Sequence, residues 1–127
     1  MMQKRAFVAV VDDDESVREA LPDLLRELGH ESEAFISAEE YLRSDRLGAT
    51  SCLLLDLAMP GMSGVDLKRE LDRRGIKIPI IFITAHGDEL VRQRLRERGA
   101  VDCLLKPFTD TALQEALNSA LQAEPRP

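Results

Sequence analysis

Cys52-Leu53-Leu54-Leu55-Asp56-Leu57-Ala58-Met59-Pro60-Gly61 is a short apolar run closed by a Pro-Gly turn signal. Its length suits one strand buried on both faces. An aspartate stands where the strand gives out, and a carboxylate there costs free energy unless a charge or a hydrogen-bond donor meets it. The rest of the chain supplies four more strand candidates around this one.

On the N-terminal side, Ala6-Phe7-Val8-Ala9-Val10-Val11 is apolar throughout and stops abruptly at Asp12-Asp13-Asp14-Glu15. A helix follows with Val17, Ala20, Leu21, Leu24, Leu25 and Leu28 at the spacing of one buried face. Asp14 suits its N-cap and Gly29 its end, while Pro22 lies inside it on the polar face and predicts a bend convex to solvent. Glu31 to Ile36 reads as a mixed edge strand. Ser37 with Glu40 predicts a capping box opening a helix through Tyr41 and Leu42 to about Gly48.

On the C-terminal side, Ser63 and Asp66 have the spacing of another cap, before a helix carrying Val65, Leu67 and Leu71 and ending at Gly75. Ile78-Pro79-Ile80-Ile81-Phe82-Ile83 is the fourth strand, followed by Thr84-Ala85-His86-Gly87. A helix from Asp88 reaches Gly99, and Val101-Asp102-Cys103-Leu104-Leu105 runs into Lys106-Pro107. Thr109 or Asp110 caps a last helix with Leu113, Ala116, Leu117, Ala120 and Leu121 on one face. Residues 123–127 read as a tail or the start of a linker, after one domain over 1–122.

Five strands alternating with five helices predict an α/β fold: a doubly wound parallel sheet of order 2-1-3-4-5, with helices on both faces. The composition agrees with one globular domain, being 127 residues with 44% hydrophobic and 31% charged. The net charge of −6 argues against direct nucleic-acid binding by this domain. No apolar run approaches a membrane span, and Met1-Met2-Gln3-Lys4-Arg5 has no apolar signal region behind it, so a cytoplasmic protein is expected. Cys52 and Cys103 are expected to be reduced and buried. A bridge between them is excluded, since strand 4 separates strands 3 and 5 by about 9 to 10 Å.

Ligands of such a sheet bind beyond the carboxyl ends of its strands, at the switch point between strands 1 and 3. Those ends carry Asp12 and Asp13, Asp56, Thr84 and Lys106. Three carboxylates at one rim repel one another, and Mg²⁺ removes that conflict while keeping waters for a phosphate. Lys106 suits a phosphoryl oxygen, and Thr84 with the amide of Ala85 could donate to another. Phosphoryl transfer is the chemistry this set favours. The alternative for each residue is an ordinary helix cap or solvated loop end, and Asp14 and Glu15 suit that role.

VVDDDESVR, LLLDLAMPGMSG, IFITAHGD and LLKPF together resemble the receiver domain of two-component response regulators, in particular the FixJ-type branch. The resemblance covers roughly residues 5 to 122. It implies a signalling receiver rather than an enzyme, with Asp56 accepting a phosphoryl group from a phosphohistidine on a sensor histidine kinase. It implies Asp13 as a direct Mg²⁺ ligand and Asp12 mainly through water, with Asp56 and the carbonyl of Ala58 completing the protein ligands. Lys106 would contact the phosphoryl group, its bond to Pro107 would be cis, and Thr84 would shift its hydroxyl onto the modified Asp56. A homodimer through the fourth helix and fifth strand, and transcriptional control through a following or partner domain, are further family expectations.

The chain departs from that pattern in two places. Receivers usually carry Tyr or Phe three residues before the motif lysine, where this chain has Cys103; a redox role there would need positive neighbours and exposure, and the sequence shows neither. The fourth helix carries Arg92, Arg94, Arg96 and Arg98, either a solvated face or a basic patch for an acidic partner or second receiver. Ala58 and His86, two residues beyond Asp56 and Thr84, stand at positions whose side chains, the resemblance implies, influence attack of water on the phosphoaspartate. Two rival readings differ in their nucleophile or ligand. A haloacid-dehalogenase-type phosphatase would form its phosphoaspartate on Asp12, but the further acidic pair it needs after Lys106 is missing. A flavodoxin-like cofactor site would need a first loop of Ser, Thr and Gly, and Asp12-Asp13-Asp14-Glu15 repels a phosphate.

Overall fold

A computed structural model describes residues 6–85 and 89–122. Its strands are β1 (Phe7–Val11), β2 (Glu31–Phe35), β3 (Cys52–Asp56), β4 (Ile80–Thr84) and β5 (Asp102–Leu105). The helices are α1 (Glu15–Glu27), α2 (Ala38–Arg43), α3 (Gly64–Arg73), α4 (Glu89–Glu97) and α5 (Asp110–Gln122), with a 3₁₀ turn at Leu47–Ala49. All four strand pairings are parallel and the order is β2-β1-β3-β4-β5, as the alternation predicts.

Side chains alternate across the sheet, so each strand feeds two cores. Val8, Val10, Cys52, Leu54, Ile81 and Ile83 pack with Leu21 and Leu25 of α1 and Leu113 and Leu117 of α5. Ala9, Val11, Leu53, Leu55, Phe82 and Cys103 pack with Tyr41, Leu67, Leu71 and Leu95 of α2, α3 and α4. β3 lies at the centre and is buried from Cys52 to Asp56. Each buried leucine stabilises the fold by about 2 kcal/mol, which is why the apolar run forms the middle strand. Cys52 and Cys103 are both buried and free, and they belong to opposite cores.

Several boundaries differ from the sequence reading. α2 ends at Arg43, short of Gly48: Ser44 turns extended, and its hydroxyl donates to the Tyr41 carbonyl at 2.7 Å, competing with a further helical turn. The capping box expected there is only half made. Ser37 Oγ accepts from Glu40 N, but Glu40 Oε1 reaches past Ser37 to accept from Ile36 N. The Ser63–Asp66 box of α3 is complete in both directions. β4 starts at Ile80, after Pro79 has removed a ladder donor, although the Pro79 carbonyl still accepts from Leu53 N at 2.9 Å. Between the two candidates for the α5 cap, Thr109 fills the role, its Oγ1 accepting from Ala112 N at 3.0 Å.

Candidate functional site

Register brings the two acidic strand ends together. Val11 of β1 pairs with Leu55 of β3, so the next residue on each strand, Asp12 and Asp56, emerges side by side. Asp12 is fully buried and held at each of its groups. Its amide donates to the Phe35 carbonyl, and its own carbonyl accepts from Arg18 Nη1 at 3.0 Å. Its Oδ1 accepts from Asp14 N at 2.9 Å, and its Oδ2 lies 3.0 Å from Lys106 Nζ. Asp13 is exposed. One carboxylate oxygen from each of Asp12, Asp13 and Asp56 falls within 4.8 Å of the others.

Lys106 faces this cluster from the end of β5, whose Leu105 is in register with Thr84. Beyond Asp12 it has Asp14 Oδ2 and Asp56 Oδ1, each at 4.0 Å. Asp14 therefore does two jobs. It caps α1, its Oδ1 accepting from Ser16 N, and its other oxygen adds a third carboxylate to the surroundings of Lys106. The Lys106–Pro107 bond is cis, as the resemblance implies.

Charge and burial conflict at Asp56. Only 6% of it is exposed, and burial is the main force raising its pKa. The charge and hydrogen bonding of Asp12, and then Asp13, push the same way; Lys106 opposes them, and the result is about 7. Burial pulls Lys106 downward, but the bond to Asp12 and the charges of Asp12, Asp56 and Asp14 outweigh it, and its pKa is raised. The site holds more negative charge than one ammonium can balance. Hard oxygen donors this close suit a small divalent cation such as Mg²⁺.

Thr84 ends β4 and is buried, Ala85 follows it and is exposed, and Ala58 is exposed in the loop after β3. His86 lies outside the described residues. Two residues that sequence reasoning passed over shape this loop. A side chain on Gly64 would collide with the Asp56 carbonyl and lie 3.1 Å from the Leu57 Cα. Gly64 N also donates to Leu57 O at 3.0 Å, so the start of α3 sits directly against the backbone of Asp56. Glu39 of α2 accepts from Met62 N at 3.1 Å and ties the loop from outside. The Ser63-Gly64 pair was the available signal for the first. Nothing local marks the second.

At the far side of β5, Arg92 and Arg96 of α4 both approach Asp102 Oδ1, at 3.6 and 3.2 Å, and that atom also accepts from Cys103 N. The like charges one turn apart on α4 are bridged by a shared carboxylate. The positive neighbours that Cys103 was expected to lack are thus present, in Arg92 and Arg96. Burial nonetheless dominates and raises the Cys103 pKa, with the residue only 2% exposed.

Residues 8–118 match the response regulator receiver domain. The chain belongs to that family. Over 94% of its length the receiver is 48% identical to Nodulation protein W of Bradyrhizobium diazoefficiens, covering 53% of that protein. It is 42% identical to the transcriptional regulatory protein FixJ of Rhizobium meliloti over 89% of the chain and 55% of FixJ. The receiver thus spans about half the length of these relatives. The crystal structure of FixJ-N superimposes with a TM-score of 0.83 at 38% identity, covering 98% of the receiver and 99% of that structure. These likenesses place it with the FixJ-type receivers of two-component systems. Among the described residues, no helix is long and apolar enough to cross a membrane.

Proposed function

We propose that this receiver accepts a phosphoryl group on Asp56 from the phosphohistidine of a sensor kinase. The observation that carries the reading is the convergence of Asp12, Asp13 and Asp56, their oxygens within 4.8 Å, beside Lys106. In the transfer a bond forms between an Asp56 carboxylate oxygen and phosphorus while the phosphorus–nitrogen bond breaks. The leaving imidazole keeps the electron pair. Lys106 sits where negative charge on the transferred group would develop, and placement of charge is most of the catalysis in such a step.

Asp13, Asp56 and the carbonyl of Ala58 would hold Mg²⁺ directly, with Asp12 acting mainly through water. The ion, when bound, offsets the mutual repulsion of the carboxylates and the charge on the phosphoryl oxygens. Asp56 must be ionised to attack, and a pKa of about 7 leaves it half protonated at neutrality until a cation stands beside it. Thr84 would bring its hydroxyl to the phosphorylated Asp56, with the amide of Ala85 as a further donor. Asp12 is ill-suited to be the nucleophile of a phosphatase, since Asp14 N and Lys106 already engage its two oxygens.

The signal would leave through the α4–β5 flank. Leu90 and Leu105 are 54% and 49% exposed there, which suits a homodimer formed on phosphorylation. Residues 1–122 would act as the receiver domain in the cytoplasm, without contacting nucleic acid, and residues 123–127 would lead toward the module that regulates transcription. The test is intact-mass measurement after incubation with acetyl phosphate, with and without Mg²⁺, beside Asp56→Asn. One metal-dependent phosphoryl addition, absent from the variant, is expected; addition to Asp12 would refute the assignment.

A further inference from the structure

Two cavities of about 540 and 290 Å³ adjoin, the first at the amino ends of β4 and β5 and the second running back along α3 to Val65. They share Lys68, Asp72 and Arg98, and so form one groove between α3 and the turn that follows α4. Its floor includes the half-buried Ile76, Ile78 and Val101. Its rim carries Lys68, Lys77 and Arg98 against a single acid, Asp72, which Lys68 already holds at 2.9 Å. Along α3 the wall runs from Val65 to Asp72, two helical turns or about 10 Å.

We propose that this groove docks an acidic amphipathic segment of a partner protein, its apolar side chains on the isoleucine floor and its carboxylates against the rim. Charge complementarity carries the choice of occupant. The chain is −6 overall, yet its charge is divided: residues 12–56 contain thirteen acidic and four basic side chains, residues 64–101 six and nine. The groove lies in the basic part. An acidic segment is drawn to this face and repelled from the Asp12–Asp56 rim, whereas a basic one is drawn the other way. A two-turn wall with an apolar floor is the geometry of a helix seated in a groove. A second copy of this chain fits less well. Its acidic α1 has already spent its apolar stripe, Leu21 and Leu25, on its own core.

The experiment uses the full chain, isotopically labelled, and a synthetic peptide of leucines at helical spacing with glutamates elsewhere. A counterpart with lysine for every glutamate is the control. The glutamate peptide is expected to shift the amides of Ile76, Lys77, Gly99 and Val101, with an affinity that falls as salt is added. Lys77→Glu with Arg98→Glu, both exposed positions, should weaken it about tenfold, and the lysine peptide should not bind. Failure of the glutamate peptide to shift these amides, or equal affinity for the double variant, overturns the proposal. So does a dimer of the unmixed protein that sediments as a monomer once the two charges are reversed, because the groove would then belong to a second copy. None of these readouts involves phosphorylation of Asp56.

Discussion

The two ends of β5 each gather several charges, and they treat them differently. At its carboxyl end Lys106 meets Asp12, Asp14 and Asp56, with two of the three carboxylates buried. At its amino end Asp102 meets Arg92 and Arg96, with all three side chains partly open to water. Burial makes the first set tense, since one ammonium cannot neutralise what surrounds it. Solvent makes the second set nearly neutral in free energy. Charges that conflict in a dry place mark where a cation or a phosphoryl group belongs; charges satisfied in a wet one mark a fastening.

The widest gap between the two ends should come from Lys106→Met. Asp12 is fully buried, and removing the cation 3.0 Å from it leaves a carboxylate without its counter-charge. The expected loss is about 3 kcal/mol in urea unfolding at neutral pH. Phosphoryl addition from acetyl phosphate should fall by about a hundredfold or more, the scale of removing one charge-stabilising group. A variant of undiminished stability would show that Asp12 is not pinned as described.

Asp56→Asn should act in the opposite direction on stability. In the cation-free fold Asp56 keeps its proton to about pH 7, while the unfolded chain releases it near 3.8. Between those values the folded state binds more protons, so stability falls as pH rises from about 4 to about 7 and is level beyond. The asparagine variant escapes that loss. It should be more stable than the parent by on the order of 2 kcal/mol at pH 8 and equal to it near pH 3.5, compared by thermal unfolding without divalent cations. Added Mg²⁺ should close the gap by stabilising the parent alone.

These two residues could be found in the sequence because a parallel sheet announces its strand ends. Each buried strand is an apolar run, so the first polar residue after it lies at the rim, and that placed Asp12, Asp56 and Lys106 without any knowledge of contacts. Alternation and handedness leave only a few strand orders, of which 2-1-3-4-5 is one. What remained hidden depends on side chains that meet across elements. Asp102 looked like an ordinary residue inside a strand, and only the packing of α4 on β5 shows that it holds Arg92 and Arg96. Cys103 gained positive neighbours the same way. The early end of α2 came from one hydroxyl, Ser44, competing with the helix, a choice of bonding that spacing alone does not reveal.

Gly64→Ala is a middle-sized test of the tense end. The added carbon would fall against the Asp56 carbonyl and 3.1 Å from Leu57 Cα, both backbone, so neither can step aside as a side chain would. The cost is about 1 to 2 kcal/mol of stability if α3 moves as a unit. Phosphorylation should suffer more than stability, because the displaced backbone carries the acceptor. Slowed phosphoryl addition in a protein that still melts within a few degrees of the parent is the expected pattern.

Asp102→Asn examines the relaxed end and should give the smallest effect. Asparagine keeps an oxygen that can accept from Cys103 N, so the local turn survives while the charge on two guanidiniums is lost. The pairs span 3.2 and 3.6 Å and are partly solvated, and together they are worth about 0.5 to 1 kcal/mol, less at high salt. Cys103 supplies an independent readout. Loss of the Asp102 charge leaves Arg92 and Arg96 acting alone on the thiol, so its pKa should fall, and it should react faster with a thiol reagent once α4 opens. Unchanged stability with unchanged thiol reactivity would mean that Asp102 fastens nothing. A loss as large as that of Lys106→Met would erase the distinction between the two ends of the strand.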